Sequence, residues 1–274
     1  MQDTVVHLDY IISHTETSIR HYNGKDVDGI PFFCLGLLER LHASAKGLKL
    51  LIENVEGDPY LEYSAGLIIR TSLLDFLTLL KAYDMQGQGI ESGKTSEEVE
   101  TALKLYCNEV FADGLDNTLT YIKDLRSVGS ITDDDMRRTF GNLSKNYPRF
   151  IEAYTGGEQR PAMKFKGDHS GKKLFKALSQ RPVMKELAKL YDTYLFFSKY
   201  DHFSIMSYDV IRQDVVKQLE RLRNAVKQMI LFDFIICSLL KDYKKDDFTV
   251  AQFISAGAYI ETKIFGLKPG TLKY

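Results

Sequence analysis

The stretch "FFSKYDHFS", Phe196 to Ser204, sets one histidine, two serines, an aspartate and a lysine among aromatic rings. On a helix, Tyr194, Ser198 and His202 follow at i, i+4 and i+8, so their side chains stack along one face. Ser198 can exchange a hydrogen bond with the His202 ring one turn away. Imidazole titrates near neutrality and can act as general acid or base. As a nucleophile, however, Ser198 would sit on a regular helix without an oxyanion-stabilising turn beside it.

An earlier segment, "IIRTSLLDF", supplies charge. Arg70 has Leu67, Leu73, Leu74 and Leu77 as same-face neighbours, which points its guanidinium into protein. Asp75 lies about 140° further around the helix, so the two need not pair with each other. A buried guanidinium requires carboxylates or carbonyls, and Asp75, Asp201 and Asp233 are the acids on offer. The expectation is an interhelical polar cluster joining Arg70, His202 and at least one of these aspartates.

Other chemistry-bearing patterns are weaker. "GQGIESGKT" ends like a phosphate-binding loop, but the glycine required six residues before Lys94 is Gln88. Thr95 with Glu98 reads instead as a capping box. "GDHSGKK" at 167–173 is one residue short of the same motif. His7, His14 and His21 are seven apart, and about 10 Å of helix axis separates neighbours. No two of them can share a metal ion, and they read as a partly exposed polar stripe. No metal site or cofactor is expected.

The elements that must position these residues are helical. Apolar residues recur every three or four positions with no run of strict alternation. Eight or nine helices are expected: 3–23, 30–55, 59–85, 96–127, 132–153, 171–180, 182–204, 207–243 and 248–265. Thr132 followed by Asp133 to Asp135 is a helix start, and Pro182 suits a first turn. Helix 59–85 is apolar nearly all round, the mark of a buried helix. Helix 207–243 carries Val215, Leu219, Leu222, Val226, Met229, Asp233, Ile236 and Leu240 at four-three spacing, the seam of a long bundle helix. Asp233 is the one charge in that seam. The fold class is therefore all-α, a multi-helix bundle forming a single domain over 1–274. An irregular basic connection occupies 154–171, with a shorter loop at 86–94.

Net charge is −1 over 274 residues, so no global field points to nucleic acid. Locally the balance is +7 from Arg160 to Lys185 and −7 from Glu91 to Asp135. Lys164, Lys166, Lys172 and Lys173, with Phe165 and Phe175 interleaved, could hold a phosphate backbone by charge and stacking. Cys34, Cys107 and Cys237 lie apart in apolar stretches and read as core residues. A reduced, cytoplasmic setting follows. The longest apolar run, 229–240, holds Asp233 and is short of the roughly twenty residues a membrane span needs.

"RTSLLD" (70–75) and "YLFFSKYDHFS" (194–204) together resemble a bacterial all-helical family of unknown function. Its marks are an R-[ST]-x-x-x-[DE]-like element and a later Y-x-x-x-S-x-x-x-H-x-S element, and the match covers roughly residues 35 to 240. The family is similar to the HEPN group of helical proteins, many of which serve RNA cleavage or defence against phage. The resemblance implies an all-helical fold with Arg70, Asp75, Ser198 and His202 acting as a unit, Tyr194 and Ser204 completing the motif. The HEPN ribonuclease signature places an arginine four to six residues before a histidine, and no histidine here has that spacing.

The leading expectation is a binding module that contacts RNA or a protein partner through Tyr194, Ser204, Asp233 and the lysines. One alternative is a metal-independent phosphodiesterase with His202 as acid/base and Arg70 stabilising charge. Another is a purely structural polar cluster in a self-associating bundle.

Overall fold

The structure, a computed structural model, describes residues 2–58, 60–152, 160–162, 169–184, 190–198 and 214–271. It is all-α. Among the described residues are nine α-helices: α1 (Gln2–Tyr22), α2 (Gly29–Ile52), α3 (Leu61–Glu91), α4 (Ser96–Ser127), α5 (Asp133–Asn146), α6 (Gly171–Ser179), α7 (Leu190–Ser198), α8 (Val215–Lys244) and α9 (Asp247–Tyr259). A 3-10 turn covers Pro182–Met184 and a π-helical turn Ile260–Ile264 follows α9. Their extended pairing is limited to one isolated antiparallel bridge, Ile151 with Pro161.

Helix starts are legible from side chains that can accept backbone N–H groups. Thr95 with Glu98 and Thr132 with Asp135 both form complete capping boxes. Helix ends are harder to read. α3 runs to Glu91 and absorbs most of the loop expected at 86–94, because its glycines cost helix propensity without breaking the ladder. Gly89 has a packing reason to be there: a Cβ on it would lie 2.4 Å from Val99 Cγ2. α5 stops at Asn146 rather than continuing to 153. Tyr147 leaves the helix at φ −130°, ψ 50°, as the residue before a proline is driven to do. α8 begins at Val215 with Asp214 as its N-cap. The parts of the expected helices at 185–189 and 199–213 lie outside the described residues.

The chain divides into two compact units, residues 1–88 with 170–274, and residues 89–169. The boundary falls in the last turn of α3. The second unit packs α4 against α5 around Leu119, Ile122 and Phe140, with Phe111 stacked on Phe150 at 5.3 Å between centroids.

The first unit is built on α8. From Met229 to Leu240 nearly every side chain is buried, because α1, α2, α3 and α9 all lean on this stretch. α2 runs antiparallel to α1, as Lys49–Asp9 and His42–Thr15 show. α3 runs parallel to α8, with Arg221 on Glu62, Phe232 on Phe76 and Asp242 on Gln86. By length and composition α3 could cross a membrane, but just over half of its most apolar window is buried in the bundle. Its charged residues meet protein: Glu62 with Arg221, Asp75 with Arg40, Asp84 with Arg181. Cys34, Cys107 and Cys237 are all buried free thiols.

α8 turns into α9 over two residues. Lys245 adopts a left-handed conformation, φ 55°, ψ 27°, and Asp246 caps α9 by accepting from Thr249 N at 2.7 Å. Burial pushes the Asp246 carboxyl up, but its hydrogen bonds from Thr249, with nearby His21 and Tyr22, outweigh this and leave its pKa lowered. A lowered folded pKa stabilises above the unfolded value of roughly 3.9, and that stabilisation disappears as pH falls through the folded value. Asp246→Ala should therefore cost about 1 kcal/mol at neutral pH. Urea unfolding repeated in acid should show the two proteins converging.

Candidate functional site

Two places in the first unit gather groups able to do chemistry. Of the residues singled out from the sequence, Arg70, Tyr194, Lys172 and Lys173 lie at the first and Asp233 at the second.

The first lies where α6 and α7 meet α3. Phe175 stacks on Tyr191 at 4.3 Å and 11°, and Tyr191 on Tyr194 at 5.5 Å and 20°. The Arg70 guanidinium sits 5.7 Å from the Tyr194 ring centroid, at cation–π distance. Gly171 opens α6 against that ring: a Cβ there would lie 2.7 Å from Tyr194 Cε1, so only glycine lets α6 start this close. Tyr191 is buried, which with the nearby Tyr194 pushes its phenol pKa up; Phe175, Tyr194 and Arg70 are half-buried. Lys172, Lys173 and Lys176 are exposed on α6. Lys172 and Lys176 flank Phe175 on one face, at i, i+3 and i+4.

Arg70 thus lies against an aromatic face. Asp75 belongs to Arg40 of α2, which grips it with Nε–Oδ2 at 2.7 Å and Nη2–Oδ1 at 3.1 Å. Ser198 Oγ donates to the Leu195 carbonyl at 2.8 Å, a local bond within α7. His202, Ser204, Asp201, Lys164 and Lys166 lie outside the described residues.

The second place is buried and centres on Asp233, which is 0% exposed. Its partner is His14 of α1, not Arg70: His14 Nδ1 lies 2.7 Å from Asp233 Oδ2. The approach is off the hydrogen-bond direction, so neither Asp233 oxygen has an N–H or O–H aimed at it. Cys237, one turn along α8, completes a trio whose donor atoms all lie within 4.8 Å of one another. A column of rings supports it. Tyr10 stacks on His14 at 5.3 Å and on Tyr259 at 3.5 Å, and Tyr259 Oη meets His7 Nδ1 at 2.9 Å.

The electrostatics follow from burial around one carboxylate. Burial pulls the His14 pKa down, but the adjoining Asp233 more than reverses this and it is raised. Burial and then the Asp233 charge push the Cys237 thiol well up, and the Tyr10 phenol likewise. Burial pushes Tyr259 up to about 12. Burial and then Lys227 lower His7, outweighing the opposing charge of Asp3.

His7 and His14 are therefore core residues, and the partly exposed stripe expected of them holds only for His21. The sequence does carry the signal. A lone carboxylate in an apolar seam needs a cation or donor, and a histidine flanked by Leu8 and Ile11 on an amphipathic helix is a candidate.

Fold and sites together define an all-helical protein with a half-exposed cationic ring stack and a sealed His–Asp–Cys centre. Comparison with known proteins finds no matching family model, no similar curated protein and no similar solved structure.

Truncating a partner of a buried charge leaves the other uncompensated. His14→Ala should lower unfolding stability by about 3–5 kcal/mol. Asp75→Ala, whose Arg40 partner is 56% exposed, should cost about 0–1 kcal/mol. Denaturant titration of both variants checks the contrast.

Proposed function

We propose that this protein is a helical binding module that holds single-stranded RNA on the α6–α7 ring stack. The observation that carries the reading is the run of contacts from Arg70 through Tyr194 and Tyr191 to Phe175, on whose helix α6 three lysines are exposed. Stacking rings serve any base because every base has a π-face, and adjoining cations track the phosphates. The composition supports it: α6 carries three lysines and no acid, and α7 contributes Asp192 alone. Tyr191 pins the stack by its burial, while its half-buried neighbours leave ring surface for a base. Arg70 both orders Tyr194 and adds charge.

Stacking and phosphate neutralisation separate in experiment. Tyr194→Ala should lose about 1–3 kcal/mol of binding, the worth of one stacked base. Lys172→Glu with Lys176→Glu should weaken binding and flatten the plot of log K against log salt by about 0.7 for each phosphate left without its lysine. Fluorescence anisotropy of a labelled single-stranded RNA oligonucleotide, read from low to moderate salt, gives both. Absence of binding at low salt, or binding indifferent to all three residues, would overturn the reading. Capture of a protein in place of RNA by the same face would overturn it equally.

A further inference from the structure

We propose that His14 Nδ1, the Asp233 carboxylate and Cys237 Sγ form a site for one zinc-type divalent transition-metal ion. The inference goes beyond the α6–α7 reading and does not depend on it.

The first argument is the donor set. Imidazole nitrogen, carboxylate oxygen and thiolate sulfur are the three ligand types zinc takes, three protein ligands leaving a fourth position. A thiolate in the set selects against magnesium and calcium, which bind through oxygen. The donor atoms lie within 4.8 Å of one another, and a tetrahedral zinc site has ligand–ligand edges of roughly 3.3–3.8 Å given its bond lengths. The His14–Asp233 edge, at 2.7 Å, is shorter and opens by rotating the carboxylate.

The second argument is what each donor lacks. Asp233 is fully buried, and neither of its oxygens has a donor directed at it. Buried carboxylates are ordinarily saturated with hydrogen bonds. A cation between the three groups supplies what Asp233 is missing. Tyr10 Oη is a further buried oxygen without a partner. Its ring stacks on His14 at 5.3 Å, and it is a candidate for the fourth position.

The third argument is the orientation of His14. Its Nε2 meets the Gln252 carbonyl at 3.2 Å. A carbonyl only accepts, so Nε2 carries the proton, and in neutral imidazole Nδ1 then carries a lone pair beside Asp233. Two acceptors 2.7 Å apart need something positive shared between them. A backbone carbonyl holding the far nitrogen is the usual outer support of a metal-bound histidine. A proton could also fill the gap, making a His⁺–Asp⁻ pair, but it gives Cys237 no role.

Charge agrees. Zinc with a carboxylate, a thiolate and a neutral imidazole sums to zero, which suits a buried position. Asp233 and Cys237 stand one turn apart on α8, and His14 on the facing α1, so rigid helices preset the spacing.

The test uses the full chain, stripped with chelator and confirmed folded by circular dichroism. Cobalt(II) is added as a spectroscopic stand-in, then zinc with a competing chromophoric indicator. The expected result is one ion per chain, a thiolate-to-cobalt charge-transfer band, and an unfolding midpoint that rises with free zinc. Cys237→Ala should abolish the band and weaken zinc binding by at least about tenfold, while Cys107→Ala, in the other unit, leaves both unchanged. Should Cys237→Ala fail to fold, Cys237→Ser replaces it, and the parent's cobalt spectrum is decisive alone. A stripped, folded parent with no charge-transfer band and a midpoint indifferent to zinc overturns the proposal in favour of a shared proton. Zinc binding that survives loss of Cys237 overturns it as an adventitious surface site.

Discussion

One fully buried carboxylate organises the first unit. Asp233 sits in the stretch of α8 where almost every side chain is buried, and an unpaired charge there would cost several kcal/mol. The bundle presses His14 of α1 against it, and much else follows from that placement. His14 needs its other nitrogen satisfied, which calls on the Gln252 carbonyl and so ties α9 to α1. Its ring face is covered by Tyr10, whose far face is covered by Tyr259 of α9. The two-residue turn at Lys245 and Asp246 is what lets α9 fold back far enough to offer these groups.

The same demand recurs along α3 with a different solution. Glu62 and Asp84 are fully buried, and each is met by an arginine that keeps part of its surface in water: Arg221 for Glu62, Arg181 for Asp84. A partly solvated guanidinium satisfies an inward-pointing carboxylate at less desolvation cost than a wholly sealed pair. The sealed His14–Asp233 contact is the exception among these pairs, and exceptions to cheap solvation are where a functional reason is sought.

The two candidate sites differ in kind for a reason visible in their helices. α8 and α1 are long and buried along much of their length, so polar groups placed on them become enclosed. α6 and α7 are nine residues each and expose their lysines and ring edges. An enclosed centre suits a small ion held by preset donors. An open stack suits a long, flexible polymer that contributes its own π-faces.

Local information in the sequence determined which residues are helical, where many helices begin, and that α8 carries a seam with a single charge in it. Those features depend on periodicity and on caps within four residues, as at Thr95 with Glu98 and Thr132 with Asp135. Breaks are less legible: Gly87 and Gly89 read as a loop yet continue α3, since glycine permits a turn without imposing one. The polar residues themselves are legible too, Arg70, Tyr194 and Asp233 among them, but their partners are not. Nothing local in the sequence foretells that Arg70 lies over the Tyr194 ring. The sequence offers Asp233 as one of three acids for Arg70, whereas in space Asp233 meets His14, 219 positions away along the chain. Which helix faces which is decided by how apolar stripes of similar strength pack side by side. No residue carries that choice alone, so the pairings belong to the tertiary structure.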